Sequence, residues 1–420
     1  MSKLVKNLIL LSIAVSSFGS SILSFSVGSF QMTLFRMCML ISFLVFFIHT
    51  IRSGGMLKLS DSSNTYSTKF MIIWLLYSFI TVLWSKDIAE YIKFEFFILF
   101  GVLEIILFNN CFRTVEDILS AFRAFIIGVV IQSAVGWYEV FTGNYLFVAQ
   151  NRVINIINHE TVNIPVAMLY NPNDFGTLMF FGCFIAYLLL RNEKKKGFKV
   201  IYGLIMCSCI ILLISSKSTT CILGLLVGFA TILVLSSKLK SAVLVLASSA
   251  LLFVPSINSF LIARVSFTGN SRSNAVRLLL IESGIKFLGN TFGFGIGTGQ
   301  QAYWLKNYSS YDYLGSIEQF HNWWFEILFV YGVIIFVLYI VYYINLVKCF
   351  YAEYKTKKNM ICFCLVAILI GYIIASISSS SNFRTESIWI FWAICISYQG
   401  LYTKTQVFDE LTHYKTSNNL

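Results

Sequence analysis

Twelve apolar stretches, each close to the length of a bilayer crossing, follow one another along the 420 residues. They lie near 8–28, 32–51, 70–85, 91–109, 119–141, 172–190, 199–215, 218–236, 241–257, 323–347, 360–378 and 385–402. A hydrocarbon core about 30 Å thick takes roughly 20 residues of helix. The third stretch is short, with soft ends. No ten-residue alternating pattern of a barrel strand occurs, and backbone groups in lipid must bond internally, so the stretches are expected to be helices. Charged residues are 12% of the chain and hydrophobic ones 57%, against about 25% and about 45–50% in soluble domains. A soluble enzyme, a disordered chain and a fibrous repeat are thereby excluded. The expectation is a single all-α polytopic membrane domain over 1–420, without internal repeat or separate soluble domain. The first stretch follows Lys3 and Lys6 like a signal peptide, but it outruns a usual signal core and leads straight into a second span, so it reads as a retained helix.

Basic residues set the orientation. The net charge of +12 would hint at nucleic acid in a soluble protein, but no nucleic-acid partner is implied here. With the N-terminus cytoplasmic, 19 of the 31 Lys and Arg residues fall on inner segments, RNEKKKGFK at 191–199 being the clearest, and ten fall outside. Both termini are therefore expected to be cytoplasmic. Arg36 and Arg123 fall within spans. The ten cysteines lie in or beside spans without metal or disulfide spacing, and they read as packing residues.

One link breaks the pattern of short connections. Residues 258–322, on the outer side, form a long loop rich in order-promoting residues, and loops of that length are usually functional or disordered. Within it Leu278, Ile281, Ile285 and Leu288 recur at helical spacing while Arg277, Glu282 and Lys286 lie off that stripe. This predicts an amphipathic helix over 274–288 resting on the membrane face, with Arg277 near headgroup level. Gly293, Gly295, Gly297 and Gly299 follow. They lack the Lys-Ser/Thr of a P-loop and predict a tight turn back to the membrane, whose amides could help hold a phosphate.

Several outer cations run against the positive-inside bias. They are Arg264, Arg272 and Arg277 in the loop, Lys217 in the very short SSKSTT link at 215–220, and Arg384 in SSSSNFR. Converging on one cleft, they would suit a pyrophosphate, for which Arg offers a rigid fork and Lys a point charge. Snorkelling toward lipid headgroups is the competing reading. His321, at the end of the loop before Trp323 and Trp324, sits where a histidine can act as a base for a sugar hydroxyl or bond a phosphate oxygen. NPNDFG at 171–176 opens the sixth span. Asn171, Asn173 and Asp174 there can cap a helix, and Asp174 is also a candidate functional acid. Glu104 and Glu326, inside spans, are functional candidates as intramembrane acids.

Taken in order, NPNDFG, SSKSTT, the long outer loop with Arg277, GFGIGTG, and HNWWFEIL with Gly332 in the next span resemble the O-antigen polymerase and ligase superfamily. The nearest likeness is to Wzy-like polysaccharide polymerases of Gram-positive capsule and teichuronic acid synthesis. It covers about 170–400; the N-terminal part matches only in hydropathy. The resemblance implies an undecaprenyl-pyrophosphate-linked glycan donor, no metal or other cofactor, and a chain-length regulator as a further partner. It implies that Arg277 binds pyrophosphate and that His321 binds phosphate or activates the acceptor. Lys217 stands where many members have arginine, which loses the bidentate fork. The implied reaction is attack of an acceptor sugar hydroxyl on the anomeric carbon of the lipid-linked donor, with inversion. Arg277 and Lys217, with Arg272, would neutralise the departing pyrophosphate. A ligase moving finished polymer to another acceptor is the nearest rival reading. A lipid-linked oligosaccharide flippase is the more distant one, since the charges cluster at the outer end and no repeated half is visible.

Overall fold

The computed structural model describes residues 3–27, 30–52, 66–148, 163–236, 272–311, 317–377 and 382–417, with backbone alone at 27, 272–275 and 402–417. Within them the chain runs through α1 (Lys3–Val15), a hairpin of β1 (Phe25–Val27) and β2 (Phe30–Met32), α2 (Leu34–Arg52), α3 (Tyr66–Ile80), α4 (Ile88–Cys111) and α5 (Val115–Thr142). It continues through α6 (Pro172–Asn192), α7 (Lys196–Ser215), α8 (Thr219–Ser236), α9 (Arg272–Asn290), α10 (Gln301–Tyr308), α11 (Trp323–Lys357), α12 (Met360–Ala375) and α13 (Glu386–Ser417). Seven of these segments are long and apolar enough to cross a membrane: α2, α3 with the 3-10 turn that extends it to Trp84, α5, α6, α7, α8 and α11. The protein is an all-α multi-pass membrane protein. The helix α4 has the length of a span but carries Glu90, Lys93, Glu95 and Glu104, and α12 is apolar but short. The predicted ninth span, at 241–257, lies outside the described residues.

The first predicted span is corrected. Its helix stops at Val15, and SSFGSSILS continues as turns into the hairpin, where Phe25 faces Met32 in antiparallel register. Serines bond local and neighbouring carbonyls more readily than they extend a helix. Ser16 donates to the Ile13 carbonyl at 2.8 Å, Ser21 to that of Met168 at 3.1 Å, and the Gln132 amide of α5 satisfies the Ser17 carbonyl at 2.5 Å. Polar backbone is thus paired inside protein, as the membrane requires.

Helix ends follow from side-chain caps. Thr114 and Asp117 form a reciprocal capping box at the start of α5 and Gly143 closes it in the left-handed region. Asn322 opens α11, accepting from the Trp324 and Phe325 amides, and Asn359 opens α12 in the same way; each such cap stabilises by about 1 kcal/mol. In the bundle α8 packs on α12, α6 on α7, α4 on α13, and α1 against α2 and α5. Glycines bring α8 and α12 close: a Cβ at Gly371 would lie 2.6 Å from the Gly224 carbonyl, the small-residue contact that favours helix association in lipid. Between α3, α11 and the turn before α13, Trp74, Trp323, Tyr339 and Phe383 form a buried aromatic cluster.

The helix α11 is broken at Gly332, whose φ of 78° and ψ of 179° are not helical. The carbonyls freed by the break are used by the glycine-rich turn. Ile296 and Gly297 donate to the Phe329 and Val330 carbonyls at 2.9 and 3.0 Å, and Val333 donates to the Gly293 carbonyl at 2.9 Å. The predicted turn therefore seals a kinked helix. Its Ile296 and Gly297 amides are spent on α11, and the Thr298 amide on the Thr81 hydroxyl, so these three do not form the phosphate cradle considered above.

Candidate functional site

Two of the sequence motifs meet. Asn171 caps α6, its side chain accepting from the Asn173 amide at 2.8 Å, with Pro172 in the first turn. The Asn173 side chain accepts from Ser218 at 2.9 Å, which ties NPNDFG to SSKSTT. Lys217 stands between α7 and α8 in the left-handed region, φ 55°, half-buried between buried Ser216 and Ser218. Backbone of this kind costs a non-glycine residue about 1 kcal/mol or more and recurs at functional sites.

Asp174 lines an open cleft of about 520 Å³. The cleft gathers the serine-rich turn after α1, the end of β2 and start of α2, the first half of α4, the residues before α6, Gln319 from the end of the long loop, and Arg384 to Ser387 at the head of α13. Arg384 pairs with Glu318 at 3.4 Å and lies 4.9 Å over the Phe94 ring. The cleft also holds three residues that the sequence did not mark as site residues. Arg36 pairs through Nε with Glu386 Oε1 at 2.8 Å, and Lys93 pairs with Glu90 at 2.8 Å. Arg36 was legible only as a cation inside an apolar helix, the signal that most often marks function in a membrane. Glu386, in the first turn of a helix, reads in isolation as an ordinary match to the helix dipole. Glu104, without a nameable partner in the sequence, lies within electrostatic reach of both Arg36 and Glu386.

Arg277 and His321 are not among the side chains that line this cleft. They come from separate parts of the long loop and lie within electrostatic reach of one another, because α9 packs on α11 just after His321; Gln319, two residues before His321, lines the cleft. Both are half-buried. Burial, and then the Arg277 charge, hold the His321 imidazole down at about 4, so it is neutral at pH 7. Burial likewise lowers the Arg277 pKa. Among the described residues no carboxylate lies within ion-pair distance of Arg277. His321 is held at φ 49°, an uncommon conformation for a residue with a side chain.

The amphipathic helix is present as α9, but its packed face differs from expectation. Leu280, Ser283, Gly284 and Phe287 are buried, and small Gly284 lets the Phe329 ring of α11 approach closely, whereas Leu278 and Ile285 are exposed. The expected stripe thus faces outward in part, available to lipid. Glu326 is buried and accepts from Gln301 of α10 at 2.6 Å, which locks the loop to α11. Arg264 lies outside the described residues, and Arg272 opens α9 with its backbone alone described.

Residues 203–340 match the family described as O-antigen ligase, Wzy_C. That window contains Lys217, the glycine-rich turn, Arg277, His321 and Gly332, while the cleft residues of α2, α4 and α13 lie beyond it. The chain is also similar to the teichuronic acid biosynthesis protein TuaE of Bacillus subtilis (strain 168), with 24% identity over 360 residues, covering 81% of this chain and 73% of the relative. The motif order, the helical membrane bundle and these two matches agree in their likeness: over residues 203–340 to the O-antigen ligase family, and over most of the chain to a teichuronic acid biosynthesis protein.

Proposed function

We propose that the protein is a polymerase of lipid-linked polysaccharide repeat units at the outer face of the bacterial cytoplasmic membrane, acting on an undecaprenyl-pyrophosphate-linked donor. The observation that carries this reading is the meeting of Arg277 with His321: a half-buried guanidinium without a carboxylate partner among the described residues, beside a neutral imidazole. An unpaired, partly desolvated cation attracts an anion far more strongly than one already neutralised. A pyrophosphate held there by Arg277, with Lys217, Arg272 and Arg264 as further cations, would have its growing charge compensated as it leaves. The topology that goes with this is one membrane domain with the RNEKKKGFK link and the C-terminus cytoplasmic and residues 258–322 as the large extracytoplasmic loop. The exposed apolar side of α9 would then face membrane lipid.

The acceptor hydroxyl oxygen bonds to the anomeric carbon as the bond from that carbon to the pyrophosphate oxygen breaks, inverting the centre. The hydroxyl proton passes to His321 or to the departing phosphate. A neutral imidazole can take that proton, and a bound dianion beside it would raise its basicity. With the protein groups alone, its low pKa makes it a better hydrogen-bond partner than a strong base. Asp174 and Asn173 support the motif junction at the cleft edge, and Glu326 fixes the loop. A chain-length regulator is an expected partner. No step needs a metal or other cofactor.

The family's description as O-antigen ligase favours one second reading, transfer of finished polymer to a different acceptor. Feeding membranes with lipid-linked repeat units as the sole glycan separates the two. A polymerase lengthens glycan on lipid, whereas a ligase leaves the repeat units unextended unless a second acceptor is supplied; unextended units in both cases would remove the polymerase assignment.

A further inference from the structure

The cleft lined by Gln319, Arg384 and Glu386 carries chemistry of a different kind from that of Arg277 and His321. All three of its cations have carboxylates within ion-pair distance: Arg36 with Glu386, Lys93 with Glu90, Arg384 with Glu318. Asp174 adds further negative charge at the wall. A pyrophosphate entering here would have to displace those pairs and would approach Asp174, so the cleft is a poor site for it. An uncharged polyhydroxylated ligand meets no such opposition.

Hydroxyl and amide groups dominate the rest of the wall, with Ser16, Ser20, Gln31, Gln319 and Ser387 among them and the Tyr170 ring beside them. Donors and acceptors alternating with an aromatic face suit a sugar, and the volume of about 520 Å³ falls within the range of about 300–1,000 Å³ usual for small-molecule sites. The floor is rigid. Arg36 is 7% exposed and lies over the Phe30 and Phe97 rings at 4.9 and 4.8 Å, and it also donates to the Gln31 carbonyl. Glu386 is 8% exposed. Its Oε1 accepts from Arg36 and, at 2.9 Å, from Thr33, while its buried Oε2 has no partner among the described residues. A desolvated carboxylate oxygen left unpaired is costly, and a ligand hydroxyl is the group that would satisfy it.

We propose that this cleft is a saccharide subsite for the acceptor glycan, in which Glu386, held by Arg36, accepts a sugar hydroxyl. The proposal rests on the polymerase reading for the name of the ligand, but its binding test does not depend on turnover. The probe is the oligosaccharide repeat unit, isolated from the cells' lipid-linked pool and hydrolysed from its lipid, titrated by calorimetry into the protein in lipid nanodiscs; inorganic pyrophosphate is titrated separately.

The expected result is saccharide binding that pyrophosphate does not compete away and that Glu386→Gln weakens by about tenfold or more, the scale of a lost hydrogen bond to a charged group. Ser20→Phe, which narrows the cleft without touching the ion pair, should weaken it as well. Arg277→Ala should weaken pyrophosphate binding and leave saccharide binding intact. The proposal is overturned if both Glu386→Gln and Ser20→Phe bind saccharide like the wild type, if the wild type binds none, or if pyrophosphate displaces the sugar. Loss of the polymerase reading would register separately, as normal polymer from Arg277→Ala in cells.

Discussion

His321 combines a side chain pushed toward neutrality with a backbone in the left-handed region. Asparagine tolerates that backbone better than most residues, so His321→Asn should insert into the membrane at wild-type level yet make less than about one per cent of the polymer, the scale of a lost acid-base or phosphate contact. Polysaccharide gels beside membrane immunoblots check this. Since the imidazole of the free protein loses its charge at about 4 rather than near the usual 6.5, kcat/KM, which reports the free protein, should stay level from pH 8 to pH 6, where an unperturbed histidine would already be titrating. Stability carries the same sign. The unfolded chain takes up this proton near 6.5 and the folded one only at about 4, so stability attributable to His321 is lost as pH falls between those values. Thermal unfolding in detergent at pH 7.5 and pH 5 should show a smaller acid loss in His321→Asn than in the wild type. Arg277 and His321 stand out as candidates in the sequence because each residue type announces its chemistry. The pairing of Arg36 with Glu386 does not, since the two partners lie hundreds of residues apart.

At the scale of the element, the break in α11 and the glycine-rich turn are one unit. A Cβ on Gly332 would lie 2.2 Å from the Gly293 carbonyl, and one on Gly295 would lie 2.5 Å from the Gly332 amide. Gly332→Ala should therefore destabilise by more than about 2 kcal/mol, combining left-handed strain with a backbone clash, and the variant should show a lowered unfolding temperature in detergent. Gly371→Leu, which separates α8 from α12, should act in the same direction through a different contact. The turn was foreseeable from four alternating glycines. Its partner was not, because nothing in a run of apolar residues says that a helix will unwind at Gly332. The reading of 8–28 as one span failed for a related reason: apolar content was right, but the serines and Gly19 within it make turns whose carbonyls are satisfied from α5 and other neighbours. Those turns then form one wall of the cleft, so the misread segment carries part of the site.

Across the whole molecule, hydropathy carried the helical membrane architecture, since the bilayer leaves a chain few alternatives. The cleft escaped notice because it is assembled from six separate stretches of chain that share no pattern. The proposed topology puts the RNEKKKGFK link and α9 on opposite sides. A single cysteine replacing Lys196 should react with an impermeant thiol reagent only after the cells are permeabilised, and one replacing Lys286 should react in intact cells; the reverse pattern would invert the orientation. The most direct test of the central claim is the size and location of glycan in a deletion strain carrying either the wild-type chain or Arg277→Ala. The account predicts that the wild type restores long polymer, while with Arg277→Ala single repeat units accumulate on lipid at the outer face. Normal long-chain polysaccharide from Arg277→Ala, or repeat units trapped on the cytoplasmic side, would contradict it.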